Sequence, residues 1–444
     1  MSPPGRPRPR AIVLFSSIAI LAAACSTVGA PSVVPSGTAA PPPSATAAEA
    51  PGNDAWLVVG ERGDPGLRVI LASTREQLYE LPLGVPGDRW GHLVASSTTG
   101  GTTVVDEITV QPELPVWRSR TLEGAWRLPT VGLDPLPVGV ANDDSTVMNS
   151  TIVLVEADAP VGASTSRFAV LVNGEPARII ELAGSLAFDA LSPDGSILYV
   201  VEHLPGPPDG HYQVRAIDLP SGVMRDAVIA DKRNLGTSMA GWPIAQAAHS
   251  SGVVFTLYHG AMHPFIHALN THEAWAVCLD LPEIGHGDAD AALDWGIAQD
   301  AGGRAVFAVN ATLGLAAAID PGELSIRDTT AFDPPRAAAS IELAKFGHAE
   351  VDPVGRRVVA TPDGSAVFAA GAGGIVRLES ERLTVVGRFL EGTAIEALAL
   401  TENSTSLYAL TDDGRILQVD AESGEVVGQV PGEEYDRLVA MDSW

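Results

Sequence analysis

The sequence predicts an all-β fold, and three observations support this class. A degenerate unit recurs about every 50 residues, apolar residues alternate along short segments, and no long segment has the i, i+3, i+4, i+7 spacing of an amphipathic helix. Asp-Gly and Ser-Gly pairs end many of these segments and supply the positive φ that tight hairpins require. We therefore expect each unit to be a small antiparallel sheet.

The clearest unit covers residues 186–229. Its segments LAFDALSPDG, SILYVVEHL, YQVRAIDLPSG and VMRDAVIA have the composition and alternation of four consecutive strands. Two further clear units cover residues 357–390 and 395–432. Weaker copies cover the remaining stretches, namely 90–129, 136–184, 242–282 and 293–332.

One four-stranded sheet cannot bury both of its faces, so several such sheets are expected to pack around an axis. The prediction is a single β-propeller over residues 54–444, with eight four-stranded blades favoured at a mean of about 49 residues each. Seven blades is the alternative if residues 90–129 are partly an insertion. A pair of β-sandwiches is disfavoured because the repeat is much longer than the strand spacing of a sandwich.

The two ends of the body are expected to share one blade. The first unit, residues 55–83, contains only three strand-like segments, AWLVVGER, LRVILAS and QLYELPL. A fourth segment, RLVAMDS, lies at residues 437–443. The prediction is that this C-terminal strand completes the N-terminal blade and closes the ring.

The succession of turn and strand residues in SPDGSILYVVE and VRAIDLPSG resembles that of the YVTN/WD-repeat-like β-propellers of exported bacterial proteins. The resemblance covers three units well and the others weakly. It implies a round scaffold with loops on two faces and a central channel. It concerns architecture only, because one fold supports many functions.

Residues 1–24 have the layout of an export signal, with Arg6, Arg8 and Arg10 before an apolar stretch that is too short to span a bilayer. This stretch ends in LAAAC, which resembles the lipobox of bacterial lipoproteins and implies that Cys25 carries a lipid. Ala22 departs from that motif, where leucine is preferred. A plain signal peptide, cleaved after an Ala-x-Ala sequence, is the alternative.

Residues 25–53 are rich in Pro, Ala and Ser and are predicted to be an extended tether. With a lipid on Cys25, the propeller would be held at the outer face of the cytoplasmic membrane. The net charge of −27 argues against binding to nucleic acid. We expect a monomer that has a protein or small-ligand partner, and no cofactor motif is recognisable.

Histidines are concentrated near residue 260. His259, His263 and His267 are spaced by four, but Gly260 and Pro264 argue against a helix. We expect His259 to end one strand, His263 to lie in the turn and His267 to lie on the next strand. A hairpin could bring His259 close to His267, so the three residues are candidate metal ligands. The alternative is a set of polar loop and rim residues.

Other chemical signals are weaker. The acidic run containing Asp288, Asp290 and Asp294 lacks the spacing of a calcium loop and is predicted to be a solvated loop. Cys278 is predicted to be a small buried apolar residue rather than a nucleophile. The Asp-Gly pairs at 194, 363 and 413 are predicted to form turns at one shared position of each blade.

No GxSxG or HExxH motif is present. No catalytic residue is predicted, and a non-enzymatic binding or scaffolding module is favoured. A propeller hydrolase or lactonase-like enzyme, with a metal or acid site at the mouth of the channel, is the alternative. An enzyme should bring histidines and carboxylates from several blades together at that mouth.

Overall fold

The computed structural model describes residues 55–443 with gaps, and these residues form strands, turns and loops without a helix. The described ranges are 55–62, 66–81, 84–86, 92–109, 116–131, 134–135, 139–142, 149–157, 163–172, 175–205, 211–229, 239–248, 252–259, 263–282, 294–300, 302–336, 355–432 and 434–443. Within them, no helix is long and apolar enough to cross a membrane.

The strands form eight antiparallel four-stranded sheets, which are the eight blades of a propeller. The strands of each blade follow one another from the axis outwards. Blade 1 contains β36 (Tyr435–Ser443), β1 (Ala55–Glu61), β2 (Leu67–Leu71) and β3 (Gln77–Leu81). Blade 2 contains β4 (Gly84–Pro86), β5 (His92–Thr99), β6 (Thr102–Thr109) and β7 (Val116–Glu123). Blade 3 contains β11 (Gly139–Asn142), β12 (Asn149–Glu156), β13 (Thr165–Val172) and β14 (Arg178–Ala183).

Blade 4 contains β15 (Ser185–Leu191), β16 (Ile197–His203), β17 (His211–Asp218) and β18 (Val223–Met224). Blade 5 contains β20 (Trp242–Ala248), β21 (Val253–His259), β22 (Pro264–Asn270) and β23 (Trp275–Asp280). Blade 6 contains β24 (Gly296–Gln299), β25 (Val306–Asn310), β26 (Leu315–Asp320) and β27 (Ser325–Ala331). Blade 7 contains β28 (Val358–Ala360), β29 (Ala366–Gly371), β30 (Gly374–Glu379) and β31 (Thr384–Phe389). Blade 8 contains β32 (Ile395–Leu400), β33 (Ser406–Thr411), β34 (Ile416–Asp420) and β35 (Val426–Gln429).

Three short pieces add to this pattern. Strand β8 (Trp126–Arg127) pairs with β12, and β19 (Met239–Ala240) pairs with β17. Strands β9 (Thr130–Val131) and β10 (Asp134–Pro135) form a separate two-stranded hairpin. Blade 4 therefore has an interrupted outer edge, with β18 beside one end of β17 and β19 beside the other.

The predicted eight blades and the predicted ring closure are confirmed. Strand β36 pairs antiparallel with β1 from Ala55↔Ser443 to Glu61↔Tyr435, and it takes the innermost position of blade 1. Innermost strands of neighbouring blades contact one another from β20 through β24, β28, β32 and β36 to β4, so β36 has a neighbour on each side. The first and last strands of the body thus lock the ring without a covalent link.

The predicted strand assignment in blade 2 needs a correction. Its innermost strand is Gly84–Pro86, and the segment after Ala125 belongs to blade 3, because β8 pairs with β12. Three residues are too few to produce a visible alternation, so the pattern places the first strand of this unit in WGHLVASST, from residue 90, and the fourth in AWRLP, from residue 125. The predicted assignment of the whole unit is therefore shifted by one strand.

A turn of one type joins the third and fourth strands of blades 4 to 8. Each turn begins with a side-chain oxygen that accepts backbone N–H groups two or three residues later, and each has a positive φ four residues after that acceptor. The acceptors are Asp218, Asn270, Asp320, Glu379 and Asp420, and the positive-φ residues are Gly222, Ala274, Leu324, Leu383 and Gly424. Only two of these five are glycine, so the others adopt a left-handed conformation at an energetic cost.

The predicted Asp-Gly turns are present, with one correction. Asp194-Gly195 and Asp363-Gly364 join the first two strands of blades 4 and 7, and both glycines have positive φ. Asp413-Gly414 joins the second and third strands of blade 8, so the three pairs do not share one position. In blade 8 the first turn uses Asn403, whose Oδ1 accepts the Thr405 N–H at 3.0 Å.

The hydrophobic core lies between neighbouring blades rather than in one central mass. For example, Tyr199 and Val214 of blade 4 pack with Tyr258 and Phe265 of blade 5. Arginines add a recurring polar link, in which a guanidinium donates to a backbone carbonyl of the next blade. The pairs are Arg120 to Val172, Arg178 to Leu219, Arg327 to Ser380 and Arg377 to Glu422.

Two glycines permit the close contact of innermost strands. A Cβ on Gly355 would lie 2.0 Å from the carbonyl oxygen of Leu438 in β36, and Gly355 has a φ of 141°. A Cβ on Gly296 would lie 2.6 Å from the Val358 Cγ2. Blades 6, 7 and 1 can therefore approach at the axis only with glycine at these points.

Candidate functional site

The structure describes the three candidate histidines but not Cys25, which lies outside the described residues. His259 ends β21, His263 precedes β22 and His267 lies within β22, as predicted. His259 pairs with Pro264, whereas His267 pairs with Thr256. Paired residues share a face and successive residues alternate, so the His259 and His267 side chains lie on opposite faces of blade 5.

The three histidines also differ in their surroundings. The His263 Nε2 lies 2.9 Å from an Asp280 carboxylate oxygen at a partly exposed position. Burial lowers the pKa of His259, which lies opposite Trp242 on β20. Among the described residues, no group of three His, Cys, Asp or Glu side chains could hold a metal ion. The hypothesis of a site shared by these three histidines stays a prediction.

A row of polar side chains crosses blade 5 on the face towards blade 4. Gln246 pairs with Thr256, Thr256 with His267, and His267 with Cys278, so one residue from each strand of the blade belongs to the row. Gln246, Thr256 and His267 are buried, and Cys278 is half-buried. The strand pattern therefore places an amide, a hydroxyl, an imidazole and a thiol side by side within an apolar interface.

Asp189 joins this row from blade 4. It is the unpaired residue of a β-bulge in β15, between the pairs Phe188↔Val200 and Ala190↔Tyr199. Its backbone oxygen accepts a hydrogen bond from the Gln246 Nε2 at 3.0 Å, and its carboxylate lies 3.5 Å from the Thr256 hydroxyl. Burial raises the pKa of Asp189 to about 7, and the Thr256 hydrogen bond opposes that rise.

Two tyrosines flank His267. Tyr212 of blade 4 stacks on Tyr258 of blade 5 with ring centroids 4.9 Å apart, and both rings pack against the His267 imidazole. The two hydroxyls are near enough to influence each other's pKa, but neither has a partner in hydrogen-bonding geometry. Burial raises the pKa of both tyrosines well above the usual value and lowers the pKa of His267 to about 4. The imidazole is therefore neutral at physiological pH.

A second polar cluster lies where the innermost strands begin. Just before β24, Asp294 forms an ion pair with Arg357, which directly precedes β28, at 3.4 Å. Asp294 also accepts the Thr312 hydroxyl at 2.7 Å. Its side chain is 3% exposed, so the prediction of a solvated acidic loop is wrong at this position. The partner for its charge comes from the next blade, which the local sequence does not reveal.

Glu396 extends this cluster into blade 8. It is the unpaired residue of a bulge in β32, between the pairs Ile395↔Thr411 and Ala397↔Leu410. Burial raises the pKa of Glu396. The charges of Arg357 and Arg62 oppose this rise, and those of Asp412 and Asp436 add to it. The Arg357 Nε is buried and has no hydrogen-bond partner. We call Asp294, Arg357, Glu396, Asp412 and Asp436 the axial cluster, which draws on blades 6, 7, 8 and 1.

The axial cluster and Asp189 were not among the predicted sites. Two of their carboxyl groups, Asp189 and Glu396, are bulge residues, which an alternation of period two cannot assign to a face. An acidic residue inside an otherwise apolar strand was the available signal, as in LAFDAL and IEALAL. Trp295 and Trp126 pack in the core, which fits a structural role for these aromatics.

Comparison with known proteins supports the fold and adds no assignment of function. No protein-family model matches the chain, and no curated protein matches it. Two structures of AztD from Citrobacter koseri, one of them apo, share 11% and 12% sequence identity, with TM-scores of 0.54 and 0.52. Each comparison covers 88% of this chain and 98% of AztD.

A further neighbour is the dihydro-heme d1 dehydrogenase NirN in complex with DHE. It shares 13% identity over 88% of this chain and 75% of its own, with a TM-score of 0.51. At such low identity the likeness concerns the fold alone. The expected architecture, a β-propeller, is thus confirmed by both the blade topology and the solved structures.

Proposed function

We propose that this chain is an exported, lipid-anchored binding module whose propeller takes a polar ligand at the axial cluster. The observation that carries the proposal is the buried Arg357 Nε, a donor without a partner in a cluster built from four blades. An unsatisfied buried donor costs about 1–3 kcal/mol, which a ligand acceptor would recover. Carboxyl groups beside it can accept hydrogen bonds from the same ligand.

The composition of the axial cluster favours a polar, hydrogen-bonding ligand over an apolar one. Asp294 and Arg357 are already paired, so their mutual charge is largely balanced. Burial raises the pKa of Glu396, and its carboxyl group offers oxygen atoms that can take part in hydrogen bonds to a ligand. A small hydroxylated or amide-containing ligand matches these groups, and a protein segment that offers the same groups is the competing occupant.

Glu396→Gln tests this function because it keeps the side-chain volume and removes the ionisable group. Glu402→Gln is the matched control, since Glu402 is exposed and lies just past the other end of β32. Full-length protein would be screened by thermal shift against sugars, amino acids and short peptides. We expect Glu396→Gln, but not Glu402→Gln, to reduce the shift caused by a ligand. Equal shifts in both variants would contradict the proposal.

The anchoring part of the proposal rests on the LAAAC sequence and the Pro-rich stretch after it. A lipid on Cys25 together with a tether over residues 25–53 would display the propeller outside the cytoplasmic membrane. Replacing Cys25 with Ser should move the protein from the membrane fraction to the soluble extracytoplasmic fraction. Retention of the variant in the membrane fraction would contradict the proposal that a lipid on Cys25 anchors the protein.

One observation favours a second candidate, a propeller hydrolase. Burial raises the pKa of Glu396, and a partly buried carboxyl group with a perturbed pKa is a candidate general acid or base. Hydrolysis of an ester, lactone or glycoside panel that is lost in Glu396→Gln and kept in Glu402→Gln would support the enzyme. Ligand binding without turnover would support the binding module.

A further inference from the structure

The outer part of the interface between blades 4 and 5 contains groups that the axial cluster does not involve. In the polar row of blade 5, Gln246 and Thr256 contact Asp189. His267 and Cys278 come next in the row, on β22 and on the outermost strand β23. As cross-strand partners on one face, they have Cβ atoms about 4.5–5.5 Å apart.

A thioether completes this group from blade 4. Met239 lies on β19 opposite Tyr212, and its Sδ is 3.8 Å from the Cys278 Sγ. Zinc binds thiolate sulfur at about 2.3 Å. If both sulfurs bound one ion at that distance, the sulfur–metal–sulfur angle would be about 110°. This angle suits a trigonal or tetrahedral metal centre. The two sulfurs therefore already stand at the separation of ligands to one ion.

His267 is the observation that points to a ligand. His267 is 1% exposed, and neither nitrogen of its imidazole ring has a hydrogen-bond partner. A buried imidazole without partners is costly, whereas a metal ion would satisfy one nitrogen. The neutral ring is the form that binds metals. The unpartnered hydroxyls of Tyr212 and Tyr258 lie on the same side.

We propose that His267, Cys278 and Met239 bind one soft monovalent metal ion, Cu(I). Thiolate and thioether sulfur with imidazole nitrogen form a donor set that selects Cu(I) over harder ions. Charge supports the same choice, because Cu(I) and one thiolate are neutral together, whereas Zn(II) would leave a positive charge in an apolar interface. Binding replaces the thiol proton of Cys278, which is released to solvent. Cys278 is half-buried, so the ion can enter from the outer surface.

The test is a Cu(I) titration of the full-length chain under anaerobic conditions, in competition with a chromogenic chelator. We expect one Cu(I) per chain and an X-ray absorption spectrum with both sulfur and nitrogen neighbours. Cys278→Ser and His267→Gln should each weaken Cu(I) binding by more than about 100-fold. This exceeds the loss caused by replacing a residue that only hydrogen-bonds to a metal ligand. His263→Gln is the control, because His263 pairs with Asp280 and should leave the affinity unchanged.

Met239→Leu keeps the volume of the side chain and removes only the sulfur, so it separates ligand loss from unfolding. We expect about tenfold weaker Cu(I) binding with an unchanged circular dichroism spectrum. The proposal would be overturned if Cys278→Ser bound Cu(I) as tightly as the parent does. An X-ray absorption spectrum without sulfur neighbours, or binding of Zn(II) that is tighter than binding of Cu(I), would also overturn it. Because Glu396→Gln leaves this site intact, failure here would not be confused with failure of the axial cluster.

Discussion

Asp189→Asn tests how the interface between blades 4 and 5 responds to pH. The folded protein raises the pKa of Asp189 from 3.8 to about 7 because the carboxyl is buried. The folded state therefore holds this proton more tightly than the unfolded state does. The resulting stability is fully present below pH 3.8 and is lost as the pH rises towards 7. A difference of about three pKa units corresponds to about 4 kcal/mol.

His267 has the opposite effect on the free energy of unfolding. Burial lowers the pKa of His267 from 6.5 to about 4. The contribution of the neutral imidazole to the stability of the folded protein is therefore present above pH 6.5 and is lost as the pH falls towards 4. The corresponding loss is about 3 kcal/mol. Between pH 4 and 6.5 the two titrations have opposite effects on the free energy of unfolding. In the parent protein, the contribution of this interface to that free energy should therefore change little with pH in this range.

The amide that Asp189→Asn introduces would mimic the protonated carboxyl at every pH. This variant should be up to about 4 kcal/mol more stable than the parent at about pH 8. It should also lose stability more steeply than the parent between about pH 6.5 and 5. Urea unfolding at several values between about pH 5 and 8, with a metal chelator present, measures both effects. Asp226→Asn is the control, because Asp226 is exposed in the same blade. Parallel stability profiles for Asp189→Asn and the parent would refute this reasoning.

Four further variants test the same ring. His267→Gln should reveal the Asp189 titration, so its free energy of unfolding should fall as the pH rises from about 5 to 7. Deleting residues 436–444 removes most of β36 and should lower the melting temperature of the whole propeller; melting like the parent would contradict closure by this strand. Ala274→Gly should stabilise the protein by about 0.5–1 kcal/mol, because φ at Ala274 is 56°. Leu383→Gly should destabilise it by about 2 kcal/mol or more, because the lost burial of a leucine that is 1% exposed exceeds the relieved strain. Equal changes in chemical denaturation for the two glycine variants would contradict the strain argument.

The regular part of the fold could be predicted because its signals are local. Alternation and turn residues identified the strands of blades 4 to 8, and the three-stranded first unit indicated that a strand was missing. Strand β4 could not be recognised, since Gly84–Pro86 is too short to show a period. The positive-φ positions Leu324 and Leu383 are not glycine, so their conformation had no signal in the residue types.

The candidate sites were harder to predict because their residues meet across blades. Asp189 contacts Gln246 from the next blade, and Asp294 pairs with Arg357 in the same way. A bulge sets the orientation of Asp189 and Glu396, and one inserted residue reverses the assignment of a face. The spacing of the histidines indicated the right hairpin, but the strand register separates His259 from His267. Local spacing cannot reveal such registers.

The most direct test of the central claim is hydrogen–deuterium exchange on the full-length chain, with and without the polar ligand that gives the largest thermal shift. Binding at the axial cluster should slow exchange of backbone amides where β28, β32 and β36 begin, in three different blades at once. The outer strands β31 and β35 should show no change. Protection confined to the outer strands, or spread evenly over the ring, would contradict a ligand site at the axial cluster.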